Sequence, residues 1–288
     1  ALDFDYSADA PPPAAWLEFL GQLWPDDPAA VGLLQEWFGY CLTPDTAQQK
    51  MLLMVGPKRS GKGTIGRVLT QLIGPENVVG PTTGSLGGRF GLQPLIGKSL
   101  AVVSDARFHG PDIQAVVERL LVISGEDRIT IERKNVDAVT VKLPTRFVFL
   151  SNEIPRLRDS AEALSGRFLV LTLRRSFYGT EDTGLTARLL GELPGILKWA
   201  LIGWERLHAR GRFAVPDSSA DAVAMLADLS SPVGAFVRHA CTLDPAERVY
   251  VSDLFDAWRK WCEADGRDAV GTVQGFGRDL AAVLPGLA

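Results

Sequence analysis

The sequence predicts an α/β fold with a mostly parallel sheet, on three observations. Four short apolar runs, at 51–55, 100–103, 147–150 and 168–173, have the length of buried strands. The intervals between them carry helical periodicity, the alternation that places helices on both faces of a parallel sheet. The first run passes directly into a Gly-rich turn and then an amphipathic helix, which fixes a strand–loop–helix unit at its centre.

Residues 1–13 are acidic and Pro-rich and read as a linker from a longer protein. Residues 14–49 form an N-terminal helical segment of two amphipathic helices. Trp16, Leu20, Leu23 and Trp24 share one face, and Val31, Leu34, Phe38 and Cys41 share another. The core is expected over 50–182. After the strand at 51–55 comes a helix with Ile65, Val68, Leu69, Leu72 and Ile73 on its buried face. The strand at 100–103 is followed by a helix at 112–123 carrying Ile113, Val116, Val117, Leu120 and Leu121. Alternating segments at 128–133 and 138–142 predict a β-hairpin with its tip near 134–137, and the strands at 147–150 and 168–173 complete the sheet. Residues 183–215 read as helical and 216–232 as a hinge with a short helix inside it. In 233–288 three helical patterns, around 233–241, 252–264 and 272–284, suggest a helix-turn-helix or winged-helix-like module whose wing strands would lie beyond Ala288.

Composition bounds the chemistry. The chain has 288 residues, enough for about two domains, with 46% hydrophobic and 22% charged residues, which excludes a disordered, fibrous or disulfide-stapled chain. No apolar run reaches the ~18–20 residues of a membrane span. Cys41, Cys241 and Cys262 are odd in number and far apart, so they suggest a reducing compartment and neither a disulfide framework nor a zinc site. With a net charge of −4, any contact with nucleic acid has to come from a local basic element.

The turn after the first strand, Gly56-Pro57-Lys58-Arg59-Ser60-Gly61-Lys62-Gly63-Thr64, fits GxxxxGK. Glycines let backbone N–H groups turn in around a phosphate, the helix N-terminus adds its dipole, and the lysine reaches the terminal phosphates. Composition alone gives ~0.08 chance matches in a chain of this length. The magnesium hydroxyl that usually follows the lysine directly is replaced by Gly63, with Thr64 one residue later. A carboxylate for Mg²⁺ or its water is expected at the end of a neighbouring strand. Asp105 stands there, after four apolar residues and Ser104; outside this context such an Asp is more often a turn residue. Asn152 ends the third core strand, where it could orient a water beside the γ-phosphate or simply close an Asx-turn. Arg167 precedes the fourth strand as a solvated residue or as an arginine finger for a neighbouring subunit. Between Arg128 and Arg146 five basic residues (Arg128, Arg133, Lys134, Lys142, Arg146) face two acidic ones (Glu132, Asp137), a net of +3 in an acidic protein.

This ordered set resembles the superfamily 3 helicases of viruses, phages and plasmids, and above all the C-terminal helicase part of phage and plasmid primase–helicases. Residues 56–64 resemble the family's motif A, 100–105 its motif B, 125–135 its motif B′ hairpin, 150–153 its motif C and 164–168 its arginine-finger element. The resemblance, over about residues 14–288, implies an AAA+-like P-loop NTPase core with a winged-helix-like C-terminal module. It implies ATP-dependent 3′-to-5′ translocation on single-stranded and forked DNA by a homo-oligomeric ring, usually a hexamer. It further implies an upstream primase domain and a place in the cytoplasm of a bacterial host. On this reading ATP and Mg²⁺ are the cofactors, Lys62 binds phosphate, and Thr64 and Asp105 hold the metal (the latter through its water). Asn152 senses the γ-phosphate, Arg167 acts in trans, and Arg133, Lys134 and Asn135 contact DNA from the hairpin tip. In the viral relatives an acid precedes the motif B Asp; here that position is Ser104. In the C-terminal module Thr272, Gln274 and Arg278 are the candidate DNA contacts, beside an equally open role in protein contact. Two other readings of the residues remain: a P-loop phosphotransferase suggested by GKGT, and an ATP-regulated DNA-binding module without turnover.

Overall fold

The computed structural model describes residues 4, 7–108, 112–157, 163–244, 246–266 and 270–285. Its centre is a five-stranded sheet of β1 (Met51–Val55), β2 (Val78–Val79), β3 (Leu100–Val103), β6 (Arg146–Ser151) and β7 (Phe168–Thr172), in the order β2-β3-β6-β1-β7. All four pairings are parallel, so every C-terminal strand end lies on one edge of the sheet and every N-terminal end on the other. The four expected strands are all present. β2 was missed because two residues are too few to show a period.

Side chains alternate between the faces, and each face has its own core. Leu52, Met54, Val148, Leu150, Leu169 and Leu171 pack with α1 (Ala14–Leu23), α2 (Pro28–Cys41), α3 (Lys62–Ile73) and α7 (Leu193–Arg210). Leu53, Val55, Phe147, Phe149, Phe168 and Val170 pack with α4 (Thr83–Gly87), α5 (Ile113–Ser124) and α8 (Asp217–Ser230). The six-residue α6 (Leu185–Leu190) covers the same side as α1 and α3 through Leu189. The first-face helices are clamped by charge as well. Glu36, 1% exposed, accepts from Arg210 Nη2 at 2.6 Å and from the Ala214 amide at 3.0 Å, with Arg206 Nε at 3.6 Å. The α1 N-terminus is capped from far along the chain: Glu192 accepts from the amides of Ala15 and Trp16 at 3.0 and 2.9 Å.

The hairpin forms as a separate two-stranded ribbon, β4 (Arg128–Arg133) and β5 (Val136–Lys142), with Lys134 and Asn135 as its turn and Asn135 at φ 61°. Residues 216–232, read as a hinge with a short helix, contain the 14-residue α8, whose Ala222 and Leu226 are buried in the second core. Small residues and serines hid that apolar stripe. The C-terminal helices α9 (Pro232–Ala240), α10 (Val251–Ala264) and α11 (Val273–Val283) bury a third cluster, where the Trp258 and Phe276 rings stack at 5.8 Å and Phe236 meets both edge-on at 5.6 and 6.2 Å. The described residues of this module contain no strand. No described helix is by itself long and apolar enough to cross a membrane. Parts of the expected linker (1–3, 5 and 6) lie outside the described residues.

Candidate nucleotide site and nucleic-acid hairpin

The phosphate loop sits at the C-terminal edge, between β1 and α3, with β6 and β7 on either side of its strand. Its backbone demands glycine at two points. A Cβ on Gly56 would lie 2.4 Å from the Leu173 carbonyl oxygen, and Gly61 adopts φ 93° with Phe19 and Leu23 closing over it. Within the loop, Lys62 Nζ donates to the carbonyls of Gly56 and Pro57 (the latter at 2.8 Å), to Ser60 Oγ at 3.2 Å and to Asn152 Oδ1 at 3.4 Å. The ammonium is therefore centred among the acceptors that phosphate oxygens would replace, and α3 begins at Lys62 with its free N–H groups facing the loop. Burial holds the Lys62 pKa below lysine's usual value, and the Asp105 carboxylate opposes that shift.

Asn152 and Asp105 arrive from the two strands beyond β1. The Ala106 amide donates to the Leu150 carbonyl at 2.8 Å, and Ser151 Oγ donates to the Ala106 carbonyl at 3.3 Å, which ties the ends of β3 and β6 together. Asp105 lies between them in the left-handed region, φ 50°, with its side chain exposed. Thus Lys62, Asn152 and Asp105 are brought to one edge. Thr64 is not turned the same way. Its Oγ1 accepts from Arg67 Nη2 at 3.2 Å and faces the side of α1 and α6, whereas Gly63 lines the cleft shared with Ser104. No group of three or more His, Cys, Asp or Glu side chains able to hold a metal occurs among the described residues. The donor set fits Mg²⁺ that takes one carboxylate, Asp105, and completes its shell with phosphate and water.

A cavity of about 360 Å³ opens beside the loop, lined by Phe19, Arg59, Thr64, Arg67, Phe177 and Arg188 among others. Its outer wall is tied to the loop: the Phe177 amide donates to the Arg59 carbonyl at 2.9 Å and Ser176 Oγ to the Lys58 carbonyl at 2.8 Å. Arg188 pairs with Asp182 at 2.5 Å, and that hydrogen bond keeps the Asp182 carboxyl below the usual carboxylate range. The sequence reading missed this wall, because α1 and 177–188 are over 150 residues apart and carry no motif. Arg67 alone left a signal, as a cation on the helix that follows the loop.

Arg167 lies at the opposite edge, immediately before β7. β1 and β7 pair from Met51↔Phe168 to Val55↔Thr172. That register places a strand of five residues, ~16 Å at 3.3 Å each, between Arg167 and the level of the phosphate loop. It cannot serve the nucleotide of its own loop. Its Nη1 donates to Gln49 Oε1 and, at 3.4 Å, to the Ser124 carbonyl.

The hairpin springs from that same edge, after α5. Lys134 and Asn135 are exposed, and Arg133 Nε donates to the Asp137 carbonyl at 2.7 Å. The charge expected along the hairpin is redistributed, however. Arg146 is buried at 3% exposure over the Tyr40 ring at 4.7 Å, and it donates to the Thr43 and Asp45 carbonyls. Lys142 is paired with Glu126 at 2.8 Å. Arg146 therefore contributes nothing to a nucleic-acid surface, and the positive charge left for one lies on Arg128 at the hairpin's root and on Arg133 and Lys134 toward its tip. Sequence reasoning also missed the tip's neighbour. Gln93 Oε1 accepts from the Lys134 amide at 3.0 Å, and Arg89 reaches Glu132 at 3.7 Å while lying over the Phe90 ring at 5.4 Å. In the C-terminal module Thr272 Oγ1 caps α11 by accepting from the Gly275 amide at 3.1 Å, and Arg278 lies beside Asp279 at 3.5 Å, so both are engaged locally.

Comparison with known proteins bears on the fold. A family model described as a family of unknown function (DUF5906) matches residues 54–167, less than half of the chain. Two apo structures of the NrS-1 C-terminal region superpose with TM-scores of 0.60 and 0.61, at 20% and 18% identity, over 97% of this chain and 66% of each of those. The chain thus spans about two thirds of the length of the regions it matches. The X-ray structure of JCV helicase aligns at a TM-score of 0.38 and 17% identity, over 76% of this chain and 73% of that one, too loosely to carry an argument. The α/β P-loop architecture is shared with the NrS-1 region.

Proposed function

We propose that this chain is the ATP-hydrolysing motor of a DNA helicase of the superfamily 3 type. The observation that carries the reading is the separation of parts on one sheet. Lys62, Asn152 and Asp105 converge at the C-terminal edge, while Arg167 and the Arg133–Lys134 tip stand at the N-terminal edge. A phosphotransferase acting as a monomer has no use for an arginine placed a full strand away from its phosphates. An oligomer in which one subunit's N-terminal edge faces the next subunit's phosphate loop uses it directly.

In this proposal ATP lies with its phosphates over Gly56–Lys62–Thr64 and its base side in the cavity beside Phe19 and Phe177. Asp105 would hold Mg²⁺ together with phosphate oxygens, and the ion would supply charge neutralisation at the terminal phosphates. Lys62 exchanges its loop carbonyls for the β- and γ-phosphate oxygens, and Asn152, already within 3.4 Å of that ammonium, orients the attacking water or the γ-phosphate. Arg167 from a neighbouring copy stabilises the charge that develops on transfer. With Ser104 in place of a second acid, Asp105 and Glu153 are the carboxylates near enough along the chain to polarise the water. One hairpin tip per subunit, repeated around a homo-oligomeric ring, gives a channel of Arg133, Lys134 and Asn135 that tracks the phosphates of single-stranded DNA at a fork. We place the ring as a hexamer, the polarity as 3′ to 5′, a primase domain upstream, and the site of action in the cytoplasm of a bacterial host, all from the family resemblance.

The test is ATP hydrolysis with and without single-stranded DNA, across protein concentration and salt. The proposal expects turnover that rises with both DNA and protein concentration and that loses its DNA stimulation as salt increases. Turnover indifferent to DNA and to concentration would replace it with the phosphotransferase reading.

A further inference from the structure

Gln49 is the last residue of the expected N-terminal segment, and nothing in the nucleotide chemistry calls for it. Its place in the structure is unusual on two counts. It adopts φ 52°, in the left-handed region that side chains other than Gly, Asn and Asp rarely occupy. Its amide is also used at both ends. Oε1 accepts from Arg167 Nη1, while Nε2 donates to the Gly125 carbonyl at 3.4 Å. Gly125 ends α5, and its neighbour Glu126, itself at φ 68°, accepts from Thr46 Oγ1 and holds Lys142 at 2.8 Å. Lys142 is the last residue of β5 and Arg128, two residues after Glu126, the first of β4. One side chain therefore bridges the arginine before β7 and the root of the hairpin.

The chemistry of the bridge suits a part that moves. A side-chain amide accepts from a guanidinium through its oxygen and donates to a carbonyl through its nitrogen, so it can hold both partners without a charge of its own. Among the described residues no carboxylate lies within ion-pair distance of Arg167, so a neutral acceptor restrains the cation without neutralising it. A carboxylate in the same place would form a charge-assisted, potentially bidentate pair roughly twice as strong, and would keep the arginine from a phosphate.

We propose that Gln49 is a positioning residue that couples Arg167 to the root of its own subunit's hairpin, so that engagement of the arginine by a neighbouring subunit's nucleotide is transmitted through Gly125 and Glu126 to the DNA-contacting tip. This rests on the reading of Arg167 as a trans-acting finger. Each subunit then reports the nucleotide state of its neighbour's site, not of its own, to the strand it holds.

Two variants separate the coupling from mere packing. Gln49→Gly removes both hydrogen bonds and relaxes the left-handed backbone, and Gln49→Glu keeps the size and the acceptor while adding charge. The experiment measures kcat and KM for ATP with and without single-stranded DNA, alongside the Kd of a fluorescent ATP analogue and the melting temperature. For Gln49→Gly the ratio of DNA-stimulated to unstimulated turnover is expected to fall at least fivefold, with nucleotide Kd unchanged. For Gln49→Glu kcat is expected to fall at least tenfold at unchanged KM. Wild-type stimulation in Gln49→Gly together with wild-type kcat in Gln49→Glu would overturn the proposal. Arg167→Ala, measured in parallel, isolates the premise: if it hydrolyses ATP normally the finger reading itself fails and the coupling with it, whereas if it is inactive while both Gln49 variants behave as wild type only the coupling is lost.

Discussion

The two edges of the central sheet are built from the same five strands and do opposite work. At the C-terminal edge the chain is drawn inward: glycines at 56 and 61 let the backbone close on itself, and Lys62 is held by its own loop and by Asn152. At the N-terminal edge the chain reaches outward, with Arg167 held by two neutral acceptors, the Gln49 amide and the Ser124 carbonyl, and a hairpin whose tip is exposed. A parallel sheet makes this division automatic, since all its loops of one kind fall on one side. On the proposed reading, a cation required for phosphate chemistry is placed where its own subunit cannot use it, which makes activity conditional on a neighbour.

The largest expected effect tests that condition directly. Arg167→Ala should reduce kcat about 10³-fold, in line with the worth of an arginine finger, while the Kd for nucleotide stays within about twofold. Mixing this variant with the inactive Lys62→Ala chain should restore part of the turnover, because one kind of subunit supplies the loop and the other the arginine. No recovery on mixing would break the contrast between the edges. Lys62→Ala by itself should lower kcat/KM roughly 10²–10³-fold, since both binding and charge stabilisation pass through that ammonium.

A smaller effect is expected from Gly56→Ala, read by thermal melting with and without ATP. The added Cβ meets the Leu173 carbonyl at 2.4 Å and forces β1 and β7 apart at the C-terminal edge, which should cost about 1–3 kcal/mol, or roughly 2–10 °C for a chain of this size. The loss should be accompanied by a weaker nucleotide-induced stabilisation, and a variant that melts normally and binds ATP normally would show that the loop tolerates the displacement. The smallest effect belongs to the hairpin. Lys134→Ala should weaken single-stranded DNA binding uniformly across sequences and lower the slope of log K against log salt by about 0.7. An unchanged slope would remove Lys134 from phosphate contact and leave the tip without its main charge.

Much of this architecture could be read from the chain before the structure. The buried strands of a parallel sheet are continuous apolar runs, so β1, β3, β6 and β7 stood out, and the Gly56–Lys62 turn located the centre. What escaped detection was whatever depended on contacts far apart in sequence. Arg146 looked like hairpin charge, and only the Tyr40 ring and the 43–45 carbonyls, about a hundred residues earlier, show it to be a buried tie. Gln49 carries no sequence signal at all, because an amide's two partners, Arg167 and Gly125, are set by the fold.

The cap on α1 has a consequence in time. Its donors are the amides of Ala15 and Trp16 and its acceptor is Glu192, about 177 residues later, a distance a ribosome covers in roughly 9–35 s at ~5–20 residues per second. Until Glu192 and the 177–188 wall emerge, the phosphate loop has neither its capped roof nor its outer side. The last strand, β7, ends at Thr172, so for the final twenty or so residues before Glu192, ~1–4 s of synthesis, the sheet and loop are made while the cavity is still open, and on the proposed reading ATP can stabilise the protein only after that last wall has closed.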